Sequence, residues 1–308
     1  MACLVTDDVS STDQVGRIKV VNAESRGKGF ETCAASGPMP EALERLRGVL
    51  ADIGPVVVAF SGGADSAFLA WVAAEVLGPE RAPCTTAVSP SLAADELEGC
   101  RTLASDWGLS WSTVATDELG RLAYVANGAD RCAHCKTSLM DALAPQAEAL
   151  GATVVLGVNL DDLGDHRPGQ AAAAGAGARF PLVEAGFTKA MVRQASRALG
   201  LSTWDKPAGA CLASRIPYGV EVTVGALGSV QRAEAALRGL GLHQLRVRHH
   251  GDVARVEVEP GEMEHAFRLR DQVSAAVRSA GYAYVALDLE GFRSGSLNEV
   301  LARAGQSS

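Results

Sequence analysis

The stretch 56–66, Val-Val-Val-Ala-Phe-Ser-Gly-Gly-Ala-Asp-Ser, constrains this chain most, because an apolar run closes on two glycines and reopens as a helical stripe. Ala67, Phe68, Trp71, Val72 and Val76 recur at helical spacing after the loop and stop at Gly78-Pro79. A buried parallel strand feeding a helix through glycines leaves main-chain N–H groups free to meet an anion with no Cβ in the way. The helix N-terminus adds about half a positive charge. Ser61 and Ser66 can add hydroxyl donors, and Asp65 can cap the helix or help hold Mg²⁺. On these residues alone a plain strand-to-helix turn stays open, since neither G-x-x-x-x-G-K-[ST] nor a G-x-G-x-x-G after a strand is present.

The alternation continues. Leu43, Leu46 and Leu50 mark a helix before the apolar run; strands are expected over 84–88, 110–114 and 153–157, and helices over 94–107 and 136–150. Strand and helix in turn predict an α/β fold with a doubly wound, Rossmann-like parallel sheet. Past Cys211 a helix over 231–240, strands over 244–247 and 254–258, a helix over 262–280 and a strand over 283–287 predict a second, smaller α/β domain. Residues 1–38 show no sustained periodicity and read as an extension, which divides the chain into 1–38, 39–205 and 206–308. The Ala-rich segment 171–178 reads as a surface loop.

Apolar runs such as 55–60 and 68–76 fall far short of the roughly 20 residues that cross a bilayer, so no membrane span is expected. Asp7, Asp8 and Asp13 stand where a secretory signal would be basic and apolar, which points to the cytoplasm. A net charge of -8 excludes a broad nucleic-acid surface and leaves room for a local basic pocket, so the expected partner is a small molecule.

Seven cysteines in 308 residues are too sparse and odd in number for a disulfide framework. Cys132 and Cys135 form a C-x-x-C whose thiols share one face if helical; a redox pair, half a zinc site and two buried thiols all remain open. Cys211 lies among turn formers and polar residues, unlike a core element. Three thiolates suit an iron-sulfur cluster with one open iron, whereas zinc needs His134 or another fourth ligand. Cys3, Cys33, Cys84 and Cys100 have no partner at metal-ligand spacing and read as extension or core thiols.

The loop Ser61-Gly62-Gly63-Ala64-Asp65-Ser66 resembles that of the PP-loop ATP pyrophosphatases, which hold the pyrophosphate portion of ATP there and transfer AMP to an oxygen. From about Leu46 to Asn298 the chain further resembles the LarE-type sulfur transferases of nickel-pincer nucleotide biosynthesis. That similarity rests on Arg167-Pro168-Gly169, the segment 175–179, Trp204-Asp205-Lys206, the segment 213–219, Arg246-Val247-Arg248, the segment 252–255, Leu287-Asp288-Leu289 and the segment 291–295. It implies activation of a carboxylate of pyridinium-3,5-biscarboxylic acid mononucleotide by ATP and replacement of the adenylate by sulfur. Some members sacrifice one cysteine; others hold a four-iron cluster on three. With Cys132, Cys135 and Cys211 this chain resembles the second kind; the sacrificial position of the first kind aligns with Ala210, which speaks against single-turnover sacrifice and leaves Cys211 open as the donor.

The same resemblance implies contact of Ser214 and Arg215 with the reacting carboxylate or adenylate, Glu234 in the site, Arg246 and Arg248 on a substrate phosphate, and a homo-oligomer, a hexamer. Arg246 and Arg248 alternate on one strand and so share a face, as an exposed pair on an edge strand also would. Glu234 on a helix is ordinarily a solvated residue, and Asp161, Asp162 and Asp165 ordinarily a polar loop. Of His249 and His250, only one can face the same way as Arg248. Other readings are a cluster-using tRNA thiolase, an ammonia-using amide ligase and a nucleotide-binding module without chemistry.

Overall fold

The structure, a computed structural model, describes residues 38–163, 168–207 and 209–293. The expected extension over 1–38 lies outside the described residues except for Pro38, as do Asp165, Arg167, Ser294 and Gly295. The first half runs α1 (Pro38–Ile53), β1 (Val56–Ala59), α2 (Ala64–Leu77), β2 (Cys84–Val88), α3 (Ala94–Trp107), β3 (Trp111–Ala115), α4 (Leu122–Val125), α5 (Arg131–Leu150) and β4 (Thr153–Leu156). Then come α6 (Pro168–Gly175), α7 (Pro181–Glu184), α8 (Lys189–Ala198) and a 3₁₀ turn at Leu212–Arg215. The last part comprises α9 (Val224–Gly239), β5 (Leu245–His250), β6 (Val253–Val258), α10 (Met263–Arg268), α11 (Arg270–Ser279) and β7 (Tyr284–Leu287).

The first four strands form a parallel sheet in the order β3-β2-β1-β4. Strand β1 is apolar throughout because both of its faces are covered. Val56 and Val58 pack with Leu46, Leu50, Phe68, Leu69 and Val192 of α1, α2 and α8, while Val57 points the other way into Met140, Leu143 and Ala173 of α5 and α6. This is the doubly wound arrangement. Strand β1 lies between β2 and β4, so the loops leaving β1 and β4 diverge and open a crevice at the carboxyl ends of the strands. The glycine loop occupies one lip, and Gly157 to Asn159 the other.

A second sheet, β5-β6-β7, pairs β5 and β6 antiparallel and β6 and β7 parallel. Its core gathers Leu237, Leu245, Val247, Val256, Val258 and Val277. A further cluster of Tyr124, Leu212, Ala213, Ile216, Leu227 and Val230 packs α4 and the 3₁₀ turn against α9.

Several elements differ from the sequence expectation: α4, α7 and α8 were not expected, and α9 begins at Val224 rather than 231. The Ala-rich stretch is helical, α6, because alanine has the highest helix propensity, Pro168 suits the first turn, and Gly177 at φ +86° follows the end. Helix α5 begins at Arg131 rather than 136, which brings both Cys132 and Cys135 onto its first turns. The helix expected over 262–280 pauses at Leu269, with ψ 9°, and forms two pieces.

The two lips of the crevice touch at Gly157, where an added Cβ would stand 2.7 Å from the Ser66 amide nitrogen and 2.8 Å from the Asp65 carbonyl carbon. Both are backbone atoms at the start of α2. Gly157→Ala should therefore lower the unfolding free energy by about 1–3 kcal/mol, the usual cost of overpacking. Urea unfolding measures it, and an unchanged midpoint would show that the lips part freely.

Candidate active site

The glycine loop forms a nest. Gly62 has φ +66° and Gly63 precedes α2 with no side-chain cap, leaving the first-turn amides of α2 without one. Ser66 Oγ closes the loop by accepting from the Ser61 amide at 3.2 Å, pairing with Ser61 Oγ at 3.0 Å and donating to the Gly63 carbonyl at 3.2 Å. Asp65 does not cap the helix; Asn159 Nδ2 donates to its Oδ1 at 3.1 Å from the opposite lip. Burial first, and then the charge of Asp162, raise the Asp65 carboxyl, against the Asn159 hydrogen bond and the charges of Lys189 and Arg193. A carboxylate in that position favours a cation beside it.

The loop bearing Cys211 is held by buried guanidinium groups on its backbone carbonyls. Arg215 Nη1 donates to Ala210 O at 2.5 Å and Cys211 O at 3.1 Å; Arg131 Nη1 donates to Ala213 O at 2.9 Å; Arg248 Nη1 donates to Ser214 O at 2.9 Å. The Leu212 amide donates to Ser91 O at 2.9 Å. Each cation is in turn oriented. Arg215 forms a two-pronged pair with Glu234, at 2.8 and 3.0 Å, and Arg248 does the same with Glu257, at 2.9 and 2.8 Å. Arg131 donates to Asn127 Oδ1 at 2.6 Å.

Glu234, expected on a solvated helix face, is 1% exposed. Beyond Arg215 it accepts from the Val247 amide and from Arg238, both at 3.0 Å. Burial alone would push its carboxyl up; the Arg215 hydrogen bonds and charge, the Val247 amide and Arg238 outweigh that, and the net direction is down. Arg248, on the edge strand β5, is buried rather than exposed. Arg246 differs from its neighbours: it donates to Leu245 O at 2.8 Å and lies 5.0 Å over the Phe292 ring, and among the described residues no carboxylate forms an ion pair with it. Burial, together with the positive charges of Arg215, Arg248 and Arg238, pushes it down to about 10 despite Glu234. It remains a cation at neutral pH, short of a counter-ion. Ser214 Oγ accepts from Arg215 Nη1 at 3.1 Å.

Cys132 and Cys211 are exposed and Cys135 half-buried. Burial, then the nearby charges of Cys211 and Glu118, push the Cys135 thiol up to about 12, and Cys211 and Cys132 lie close enough to Arg131 to favour its cation against burial. The three sulfurs thus share one neighbourhood. Among the described residues, no group of three His, Cys, Asp or Glu side chains is gathered closely enough to hold a metal ion. The donor chemistry nevertheless suits a soft metal centre, and Glu118 Oε2, buried beside Cys135, has no hydrogen-bond partner. Cys84 and Cys100 are core thiols, as expected.

Several residues here escaped the sequence reading. Arg131 sits next to the C-x-x-C, ahead of the helix expected from 136, and carries no signal of its own in the sequence. Asn127, at φ 55°, sends Nδ2 to Ile216 O, Pro217 O and Val220 O at 3.3, 2.8 and 2.9 Å; the Asn127-Gly128 pair was the available signal, as a turn former. Glu257 and Glu118 carried no local signal.

No family model matches the chain. A protein of Synechocystis described as uncharacterized is 45% identical over 264 residues, 85% of this chain and 98% of that one. The pyridinium-3,5-bisthiocarboxylic acid mononucleotide synthase of Lactiplantibacillus plantarum is 36% identical over 260 residues, 84% of this chain and 94% of that one. An uncharacterized protein of Methanocaldococcus jannaschii is 23% identical over 240 residues, 78% of this chain.

Removing Glu234 strands Arg215 in the core, so Glu234→Ala should destabilise the fold by about 3–5 kcal/mol. Because the folded carboxyl titrates below its unfolded value of 4.5, its stabilisation is complete above that value and is lost as pH falls through the lower folded one. Acid titrations of stability should accordingly show a shallower loss below pH 4.5 in Glu234→Gln than in the parent; identical acid limbs would contradict the assignment.

Proposed function

We propose, on the premise that this chain belongs to the LarE-type family of sulfur transferases, that it uses ATP to sulfurate pyridinium-3,5-biscarboxylic acid mononucleotide. In the first step a carboxylate oxygen of the acceptor attacks the α-phosphorus of ATP, and the bond to pyrophosphate breaks. In the second, sulfide sulfur adds to the activated carboxyl carbon and AMP leaves, giving a thiocarboxylate. Adenylation is needed because an oxide is a poor leaving group and AMP a good one.

Ser61, Gly62, Gly63 and Ser66 would take the pyrophosphate portion of ATP in the nest after β1. Asp65 would hold Mg²⁺, whose charge offsets the burial and the Asp162 charge that raise this carboxyl. Arg246 is the observation that carries the acceptor assignment: a half-buried guanidinium with no carboxylate partner among the described residues, beside the loop that holds Ser214 and Cys211. A phosphate of the mononucleotide supplies the missing anion. Arg248, already committed to Glu257 and Ser214 O, shapes that loop and adds positive potential beside Arg246. Arg215 and Glu234 hold the carbonyls of Ala210 and Cys211 so that Ser214 faces the reacting carboxyl.

Cys132, Cys135 and Cys211 would hold an iron-sulfur cluster. When bound, such a cluster on three thiolates keeps one iron open to an external sulfide. In this reading 39–205 is the ATP-binding domain and 206–308 the domain that presents acceptor and sulfur, in a homo-oligomer.

ATP–pyrophosphate exchange should require the pyridinium nucleotide, and exchange that requires tRNA instead would overturn the acceptor assignment. Arg246→Ala should raise the KM for the pyridinium nucleotide by roughly tenfold or more, with unchanged thermal stability. Anaerobic purification followed by iron and acid-labile sulfide analysis should find iron that Cys132→Ser and Cys211→Ser lose. A colourless protein that takes up no iron on reconstitution removes the cluster.

A further inference from the structure

Lys206 reaches from the segment that leads to Cys211 into the glycine loop. Its Nζ donates to the Gly62 carbonyl at 3.0 Å and lies 3.5 Å from Glu96 Oε2. The backbone beneath it is fixed on both sides, since the Lys206 amide donates to Thr203 O at 3.1 Å and Arg193 Nη2 donates to Lys206 O at 3.2 Å. The ammonium is held at the loop by its contacts with Gly62 O and Glu96, and its side chain is 29% exposed.

Gly62 is the left-handed residue whose turn aims the neighbouring amides at the anion position. An ammonium on its carbonyl stands at the edge of that nest. The carbonyl is neutral, and a phosphate oxygen is a stronger acceptor for a cation. Glu96 is the rival: a carboxylate within ion-pair distance that draws the ammonium toward α3. Lys189 and Arg193 are near enough to act on Asp65, yet among the described residues neither places a side-chain nitrogen on the loop itself.

We propose that Lys206 is a phosphate ligand of bound ATP, giving up Gly62 O and Glu96 to donate to the pyrophosphate portion held by the nest. The proposal rests on the reading of 61–66 as an ATP site and adds a contact from outside the loop. A purely structural role would be to tie Gly62 to Glu96, and the two roles predict opposite effects of removing Glu96.

Calorimetric titration of the full chain with magnesium pyrophosphate tests this without acceptor, sulfide or cluster. Lys206→Met should weaken binding by roughly tenfold or more, and Lys206→Arg should recover part of the loss because the charge survives without the compact ammonium. Glu96→Gln should tighten binding, since the competing carboxylate is gone. Weaker or unchanged binding in Glu96→Gln, or Lys206→Met within about twofold of the parent, overturns the proposal. Should Lys206→Met fail to fold, Glu96→Gln and Lys206→Arg decide alone. A parent chain that does not bind pyrophosphate overturns the ATP reading itself, and the proposal with it.

Discussion

The buried pair of Arg215 and Glu234 is the interaction on which the rest of the site depends. A desolvated ion pair contributes little net stability unless its remaining donors and acceptors are satisfied, and here they are. Glu234 also takes the Val247 amide and Arg238, and Arg215 spends its third nitrogen on the carbonyls of Ala210 and Cys211. One pair thereby links α9, the start of β5 and the Cys211 loop. Apolar residues of the same volume could fill the space, but they could not hold two carbonyls.

Arg131 and Arg248 repeat that logic from other directions. Arg131 comes from the first turn of α5, whose far side packs on the parallel sheet, and Arg248 from the edge of the second sheet. The loop between the two halves is thus tied to both by cations on its carbonyls, in addition to the buried Leu212, Ala213 and Ile216. Because Arg248 is committed to that task, Arg246 is the cation beside the loop that, among the described residues, pairs with no carboxylate. Paired arginines on alternate strand positions need not do the same work.

The thiols obey a different constraint. Cys132 and Cys211 are exposed, whereas Cys135 is half-buried and pushed up to about 12, held as a thiol beside the Glu118 carboxylate. Ligation requires that thiol to lose its proton, and a metal centre supplies the positive charge that makes this favourable. The nest imposes a comparable requirement on Asp65.

Local pattern was enough to read the parallel sheet. Residues 56–60 carry no polar side chain because both faces of β1 are covered, and a strand so buried, closed by glycines and followed by a helical stripe, has few alternatives. The low complexity of 171–178 reads as a loop; packing of α6 against α5 makes the helix, and Ala173 and Ala178 of that stretch enter the core with Val57 and Leu143. The Ser61–Ser66 loop and the C-x-x-C of Cys132 and Cys135 stand out in the sequence because glycine and cysteine carry chemistry in their spacing, whereas Arg246 is singled out only by the family resemblance. What each charge does was not legible, for a charge is defined by its partner. Only the tertiary structure set Glu234 against Arg215 across 19 positions and Lys206 against Gly62 across 144, turning a helix-face carboxylate into the anchor of the loop. Sequence determined which chemistry this protein can hold, through local backbone geometry. The fold decided which cations are spent on buried carboxylates and backbone carbonyls, because that depends on contacts that no local spacing encodes.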